Sequence, residues 1–291
     1  MPPALVKLVL GAASALALAA PATTAAEGDA KVLTGSFRSA AVAGPLHYSV
    51  YLPAGYDGAA RRYPVIYLLH GLPDGGNGWR SGIIRQIGQA AQSAGHPAIV
   101  VAPQGARPGD TDPEWHDWGK GRNWESAVVW ETVATIDHRY RTIARRADRA
   151  LIGISAGGYG AMLIGLHHLG RFSVVQAWSG YFHPTNRRGD APLDVGSDAE
   201  DRRASAHTYV RGLRARLKRW PSFLGFYVGA SDPFFVSENR AFHAELKRAG
   251  VPHRFAVYPG GHTGALWSAH AGDWASDAAE RIDNDDGAAT R

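Results

Sequence analysis

The sequence predicts an α/β fold in which a mostly parallel central sheet carries helices on both faces. Short apolar runs alternate along the chain with longer helix-like stretches, which is typical of successive β-α units. Several of the runs are apolar without interruption, as expected of strands that helices cover on both sides. No internal repeat or Pro/Ser-rich linker divides the chain, so one domain is predicted.

Each element is predicted from its run in the sequence. The predicted strands are Val32–Arg38, Leu46–Leu52, Tyr63–Leu69, Ala98–Ala102, Asp148–Ile154, Val174–Trp178, Phe223–Val228 and Arg254–Tyr258. The predicted helices are Ile83–Ser93, Trp124–Asp137, Tyr159–Leu169, Ala206–Lys218, Ser237–Arg248 and Leu266–Glu280. The first two strands are predicted to pair across Gly44-Pro45. Two long segments, Gln104–Arg122 and Tyr181–Arg203, interrupt the alternation and are predicted to be functional loops.

The N-terminal segment has the composition of a secretory signal. Lys7 precedes an apolar core, Leu8–Ala20, and small residues continue to Ala26. The alternative is a membrane anchor, but the apolar run is shorter than the ~20 residues that span a bilayer. We therefore expect residues 1–26 to be a cleaved signal peptide, residues 27–291 to be the folded domain, and the protein to be secreted without a stable membrane anchor.

Composition excludes several classes of function. The chain has no cysteine, which rules out thiol catalysis and cysteine-based metal sites. Its 31 basic and 26 acidic side chains are scattered, which favours a solvated surface over nucleic-acid binding. No His-Glu-x-x-His pattern occurs, and His167-His168 is interpreted as a pair on a helix surface. No metal and no cofactor are predicted.

A serine between two glycines is the most informative local feature. Gly153-Ile154-Ser155-Ala156-Gly157 lies directly between a predicted strand and a predicted helix. The pattern alone is weak evidence for a nucleophile, because a chain with 35 glycines can contain it by chance. The alternative is a glycine–serine turn with a purely structural role. The position of the pattern at a strand-to-helix turn is typical of the nucleophile elbow of an α/β-hydrolase, so Ser155 is predicted to be a nucleophile.

A nucleophilic serine needs a base and an orienting acid, which in this fold follow it as acid and then histidine. Asp232 comes just after one predicted strand and His262 just after the last, at the sheet edge where ligands bind. Each could also be an ordinary loop residue. The alternative acids are Glu238, inside a predicted helix, and Asp201, which follows no strand. The alternative bases are His70, His96, His116, His183 and His253.

Catalysis also needs two donors aimed at the oxyanion that forms on the substrate. The backbone N–H of Ala156, directly after the serine, is predicted to be one. The other is predicted in His70-Gly71-Leu72-Pro73, and Leu72 is chosen because Pro73 has no N–H. His70 is better suited to shaping this loop than to acting as a base.

Five segments together resemble motifs of the putative esterase family. They are Tyr51–Tyr56, Val65–Gly71, Gly153–Ala161, Gly229–Asp232 and Pro259–His262. That family includes esterase D (S-formylglutathione hydrolase), feruloyl esterases and secreted mycolyltransferases. The resemblance spans Tyr48 to Trp267. It implies an α/β-hydrolase fold with Ser155 as nucleophile, His262 as base, Asp232 as acid and an oxyanion hole at Leu72 and Ala156.

Two departures from the family bear on function. Mycolyltransferases carry a disulfide and a glutamate as the acid, whereas this chain has no cysteine and an aspartate. The predicted signal peptide argues against a cytosolic role in formaldehyde detoxification. We therefore expect a secreted serine carboxylic-ester hydrolase that acts on a small-molecule, polysaccharide or lipid ester. The alternatives are a mycolyltransferase-type acyltransferase to a sugar or lipid hydroxyl and a non-catalytic secreted binding protein.

Tryptophans near the predicted loops are candidates for substrate binding. Trp79, Trp115, Trp118 and Trp124 cluster around the predicted active edge and could form the wall of an acyl pocket. Packing of the same indoles into the core is the alternative.

Overall fold

The computed structural model describes residues 28–58, 60–72, 80, 82–107, 115–186 and 191–283. The predicted signal peptide, residues 1–26, lies outside these described residues. In the described part of the chain, no helix is both long and apolar enough to cross a membrane.

The described residues form one eight-stranded sheet flanked by helices, which confirms the predicted fold class. The strands are β1 (Lys31–Ser39), β2 (Gly44–Leu52), β3 (Val65–Leu69), β4 (Ile99–Pro103), β5 (Arg149–Ile154), β6 (Val174–Trp178), β7 (Phe223–Gly229) and β8 (Arg254–Tyr258). Their order across the sheet is β1-β2-β4-β3-β5-β6-β7-β8. The pairs β1–β2 and β2–β4 are antiparallel, and every other neighbouring pair is parallel.

The helices follow β3 and the later strands in sequence, and the last one lies after β8. They are α1 (Ile83–Ser93), α2 (Trp124–Ser126), α3 (Val133–Arg139), α4 (Ala156–His167), α5 (Asp198–Ala204), α6 (Leu213–Arg219), α7 (Val236–Arg248) and α8 (Gly264–Asp283). A π-helical stretch, Ala127–Thr132, joins α2 to α3.

Alternating side chains of the central strands enter two separate cores. In β3, Ile66 and Leu68 pack with apolar residues of α1 and α8, whereas Val65, Tyr67 and Leu69 pack on the other face with α3 and α4. This alternation follows from the two-residue period of a strand. All five residues of β3 are buried, which explains its uninterrupted apolar sequence.

Two predictions of local structure were wrong. The predicted loop Tyr181–Arg203 contains most of α5, whose first turn is stabilised by a capping box between Ser197 and Glu200. The predicted helix Ala206–Lys218 is two elements, a 3-10 helix at Ala206–Tyr209 and α6, separated at Gly212. Gly212 has a φ of +80°, a left-handed conformation that interrupts an α-helix.

Candidate active site

Ser155 occupies a strained turn between β5 and α4. Its φ of +56° and ψ of −120° lie outside the regions that non-glycine residues ordinarily adopt. The two flanking glycines permit the close approach that this turn requires. A Cβ on Gly153 would lie 1.9 Å from the carbonyl oxygen of Gly157, and one on Gly157 would lie 2.0 Å from the carbonyl oxygen of Leu69. The glycines predicted around Ser155 are therefore required by the backbone itself.

The structure brings Ser155, His262 and Asp232 into one hydrogen-bonded chain. The Oγ of Ser155 lies 2.9 Å from Nε2 of His262, and Nδ1 of His262 lies 2.8 Å from Oδ2 of Asp232. An ionised carboxylate only accepts hydrogen bonds, so Nδ1 of His262 carries the proton in this contact. Nε2 then presents a lone pair to the serine hydroxyl. This arrangement allows His262 to accept the proton of Ser155.

The carboxylate of Asp232 is buried and its second oxygen is also held. Its side chain has no exposed surface, and Oδ1 accepts hydrogen bonds from the backbone N–H groups of Phe234 and Phe235 at 2.9 and 3.0 Å. Two amide donors and an imidazole donor together offset the cost of burying the charge.

The loops that carry Asp232 and His262 contact each other directly. The N–H of Ser231 donates to the carbonyl oxygen of Gly260 at 2.8 Å. A Cβ on Gly229 would lie 2.4 Å from that same oxygen. The ends of β7 and β8 thus fix the separation between acid and base.

Leu72 and Ala156 both lie beside Ser155, as expected for a pair of oxyanion donors. The N–H of Ala156 is in the first turn of α4, where backbone donors have no partner within the helix. Leu72 lies in the loop after β3, which approaches Ser155 closely because Gly71 has no Cβ. A Cβ on Gly71 would lie 3.0 Å from the Cβ of Ser155. Leu72, Ser155 and Ala156 line one cavity together with His262.

His70 anchors the loop that carries Leu72. Its Nε2 accepts the N–H of Gly105 at 3.0 Å, and its backbone oxygen accepts the indole N–H of Trp115 at 2.9 Å. Since Nε2 is an acceptor, Nδ1 carries the proton that is donated to the carbonyl oxygen of Gly71. His70 therefore shapes the loop, in agreement with its interpretation from the sequence.

Two cavities meet at Ser155. The larger is about 270 Å³ and its described lining is mainly apolar: Leu68, His70, Gly71, Leu72, Ile83, Ile154, Ser155, Gly264, Trp267 and Ser268. The smaller is about 90 Å³ and is lined by Leu72, Ser155, Ala156, Tyr181, Asn186, Phe234, Phe235 and His262.

None of the described tryptophans predicted to bind substrate lies on the described lining of these cavities. Trp115 is 1% exposed and packs edge-on against His70, next to the loop that carries Leu72. Trp124 is also 1% exposed, in a small core cluster that Trp118 packs against. Trp79 lies outside the described residues. Trp115 and Trp124 thus occupy core positions, and Trp118 is partly buried against the core.

Among the described residues, Trp267 is a tryptophan that contacts the site although the sequence did not point to it. Trp267 lines the larger cavity, and its ring lies edge-on to that of His262 with centroids 5.1 Å apart. Its indole N–H donates to Oγ of the fully buried Ser179 at 3.0 Å. The sequence feature that could have predicted this contact is the position of Trp267 in the first turn of the helix after the His262 loop.

The two alternative acids, Glu238 and Asp201, do not contact His262. Glu238 lies 2.6 Å from Nδ1 of His183 and 3.6 Å from Nε2 of His207. Burial raises the pKa of Glu238, but its contacts with these histidines outweigh burial and leave the pKa below its ordinary value. Asp201 lies exposed in α5. Neither is hydrogen-bonded to His262.

The interpretation of His167-His168 as a surface pair was wrong. The side chain of His167 is only 8% exposed, and both rings contact the carboxylate of Glu125, which is 3% exposed. The pair lies at the C-terminal end of α4 and packs against α2, a contact between distant segments that a single sequence does not reveal.

Comparison with known proteins supports the resemblance noted in the sequence. The model of a family described as "Putative esterase" matches residues 39–271. Esterase Rv1288 of Mycobacterium tuberculosis is 28% identical over 263 residues, which cover 81% of this chain and 56% of that protein. The chain thus spans about half the length of the curated relatives it matches.

Solved structures show the same fold. A ferulic acid esterase is 25% identical with a TM-score of 0.73, and the match covers 87% of this chain and 98% of the other. The S-formylglutathione hydrolase FrmB from Staphylococcus aureus is 19% identical with a TM-score of 0.70, covering 87% and 100%. The second similarity is evidence for the fold alone.

Proposed function

Because the chain belongs to the putative esterase family, we propose that it hydrolyses carboxylic esters through an acyl-enzyme intermediate on Ser155. The observation that carries this proposal is the unbroken hydrogen-bonded chain from Ser155 through His262 to Asp232. In this proposal Ser155 is the nucleophile, His262 the general base and Asp232 the orienting acid.

Acylation begins when Oγ of Ser155 attacks the ester carbonyl carbon and Nε2 of His262 takes the hydroxyl proton. The carbonyl oxygen becomes an oxyanion that accepts hydrogen bonds from the N–H groups of Leu72 and Ala156. The positive end of the α4 dipole lies at the same place and favours the developing charge. When the tetrahedral intermediate collapses, the carbon–oxygen bond to the alcohol breaks and His262 returns the proton to that oxygen.

Deacylation repeats these steps with water as the nucleophile. His262 takes a proton from water, the hydroxide oxygen attacks the acyl carbon, and the proton then returns to Oγ of Ser155 as the acid leaves. Asp232 keeps the proton of the resting imidazole on Nδ1 and stabilises the imidazolium that forms in each half-reaction. Every step uses groups of this chain, the ester and water.

The larger cavity supports esters of a small aromatic acid as substrates. Its volume of about 270 Å³ is just below the roughly 300–1,000 Å³ typical of small-molecule sites. Leu68, Ile83, Ile154 and Trp267 supply apolar surface, which suits a flat aromatic acyl group better than a charged one. The similarity to a ferulic acid esterase points to the same substrate class.

A panel of esters tests this proposal. Purified protein should hydrolyse methyl ferulate and short-chain p-nitrophenyl esters with higher kcat/KM than long-chain p-nitrophenyl esters, because a long acyl chain exceeds the cavity. Ser155→Ala provides the blank for each substrate. A preference that rises steadily with chain length would contradict the aromatic-acyl proposal while leaving the ester hydrolase proposal intact.

We also propose that residues 1–26 are removed during secretion and that residues 27–291 form the working esterase domain. The apolar core behind Lys7 and the small residues before Glu27 support this proposal.

A further inference from the structure

At the end of α4 opposite Ser155, three side chains converge on one point. Nδ1 of His167 and Nε2 of His168 each lie 2.7 Å from the same carboxylate oxygen, Oε1 of Glu125. The three ligand-type atoms all lie within 4.8 Å of one another. Two imidazole nitrogens and one carboxylate oxygen form a donor set that zinc adopts in proteins.

The cluster is shielded from solvent. The side chains of Glu125, His167 and His168 are 3%, 8% and 22% exposed. Groups of this kind are costly to bury unless they are paired or bound to a metal. The one partly exposed member, His168, provides a side from which an ion could enter.

The second nitrogen of His167 is placed as it would be in a metal ligand. Nε2 lies 3.1 Å from the backbone oxygen of Arg203, a group that can only accept a hydrogen bond. Nε2 therefore donates, and Nδ1 faces the carboxylate either with a second proton or with a lone pair that binds a cation. Ligand histidines commonly donate their other N–H to a backbone carbonyl in this way.

A third imidazole, that of His116, has a buried nitrogen with no hydrogen-bond partner among the described residues. This nitrogen is Nε2, and His116 as a whole is 8% exposed. The backbone of His116 lies beside the start of α2, because its oxygen accepts the N–H of Trp124 at 3.3 Å. Trp124 directly precedes Glu125 in the sequence. Buried polar atoms normally have partners, so this nitrogen is an unsatisfied polar group beside the cluster.

We propose that Glu125, His167 and His168 bind one Zn²⁺ ion through Oε1, Nδ1 and Nε2. The ion would join the end of α4 to α2, and the backbone of Arg203 would hold the His167 ring from behind. Any proton on Nδ1 of His167 or Nε2 of His168 passes to solvent when zinc takes its place.

The proposed ion stabilises the fold and has no part in ester hydrolysis. The twelve residues of α4 separate His167 from Ser155, which at 1.5 Å per residue is roughly 18 Å. Zinc binding therefore does not depend on the proposed function, and either can fail without the other.

The test uses the full chain without a histidine tag, stripped of metal and dialysed against Zn²⁺. We expect one equivalent of tightly bound zinc, proton release in a weak buffer, and a melting temperature about 5–10 °C higher at a zinc concentration near 100 times Kd. The rate of p-nitrophenyl ester hydrolysis at 25 °C should be the same with and without the ion. Absence of zinc binding by the wild-type chain would overturn the proposal.

Variants locate the ion. His168→Asn, at the least buried position, and Glu125→Gln should each weaken zinc binding by more than about 100-fold, because loss of even an outer-shell partner costs 10–100-fold. The matched control is His207→Asn in the other described cluster of this kind, His183, His207 and Glu238, and it should bind zinc as the wild type does. Binding lost in His207→Asn, or retained in both site variants, would contradict the assignment.

A spectrum of the wild type does not depend on how the variants fold. Co²⁺ in place of zinc should give the intense visible absorption of a four-coordinate site, with water as the fourth ligand beside the three side chains, and Zn²⁺ should displace it. The weak absorption of six-coordinate Co²⁺ would contradict the proposed geometry.

Discussion

At the scale of single residues, the backbone of Ser155 explains why a short motif could be interpreted as a nucleophile. Ser155 itself has a φ of +56°, and backbone contacts that exclude a Cβ leave glycine as the residue that fits at Gly153 and Gly157. The contact of Trp267 with His262 could not be predicted in the same way, since it depends on how α8 packs after the loop.

The identity of the acid can be tested with a matched pair of variants. Asp232→Asn should lower kcat by about 10³–10⁴ with little change in KM, because an amide favours the wrong imidazole tautomer and cannot stabilise the imidazolium. Glu238→Gln should leave kcat within a few-fold of the wild type, because Glu238 contacts His183 and His207 rather than His262. Steady-state kinetics on one ester measure both, and the opposite ranking would reassign the acid to Glu238.

At the scale of elements, the packing of α4 against the strands depends on Gly157. A Cβ at this position would lie 2.0 Å from a backbone oxygen, so Gly157→Ala must shift the helix away from β3. We expect a loss of at least about 3 kcal/mol in the free energy of unfolding, the upper part of the range for overpacking. Denaturant unfolding monitored by circular dichroism measures it.

Gly170→Ala is the control for this prediction. The nearest atoms to a Cβ there would be those of the Trp220 ring, from 3.6 Å, an ordinary van der Waals distance. Its effect should stay within about 0.5 kcal/mol, as for most surface substitutions. Equal effects of the two substitutions would mean that the close approach of α4 to β3 is not required.

The contact between α7 and the segment after β6 should depend on pH. The hydrogen bond to Glu238 raises the pKa of His183, and contacts with Glu238 and Glu245 outweigh burial and raise the pKa of His207. Groups with a raised folded-state pKa contribute stability below their unfolded pKa of about 6.5, and this contribution is lost as pH rises through the folded pKa. The lowered pKa of Glu238 acts in the opposite sense, so its contribution is lost as pH falls below about 4.5.

Glu238→Gln should therefore destabilise the protein more near pH 6 than near pH 9. Melting temperatures of the variant and the wild type across this range measure the difference. Glu280→Gln, on an exposed position of α8, serves as the control and should show a constant difference. A destabilisation by Glu238→Gln that does not change with pH would mean that the histidines are not ionised in this contact.

Sequence patterns were enough to predict the central strands but not every helix. Largely apolar runs predicted β3 to β7 to within about two residues at each end, because strands covered on both faces are mostly apolar. The polar sequence of α5 has no apolar face to mark it, and only the capping box at Ser197 signals a helix. The division at Gly212 depends on a left-handed conformation that helix propensity does not reveal.

At the scale of the whole molecule, the alternation of strands and helices predicted the layers but not the order of the strands. β4 lies between β2 and β3, an arrangement set by packing across the sheet rather than by any local pattern. The positions of Asp232 and His262 were still predictable, because every parallel strand ends at the same edge of the sheet.

The proposed secretion has its own test. We expect the secreted protein to begin between Thr23 and Glu27, since small residues follow the apolar core there. N-terminal sequencing of protein from the culture medium measures this. A secreted or membrane-bound product that still contains Leu10 would contradict cleavage.

The central claim is that Ser155 is the nucleophile, and labelling with a fluorophosphonate tests it most directly. The reagent should add once per chain, with mass spectrometry placing the adduct on Ser155, and labelling should stop ester hydrolysis. Ser155→Ala should not be labelled and should lose about a million-fold in kcat, as is typical when a triad nucleophile is removed. An adduct on another residue, no adduct at all, or Ser155→Ala activity within tenfold of the wild type would contradict the claim.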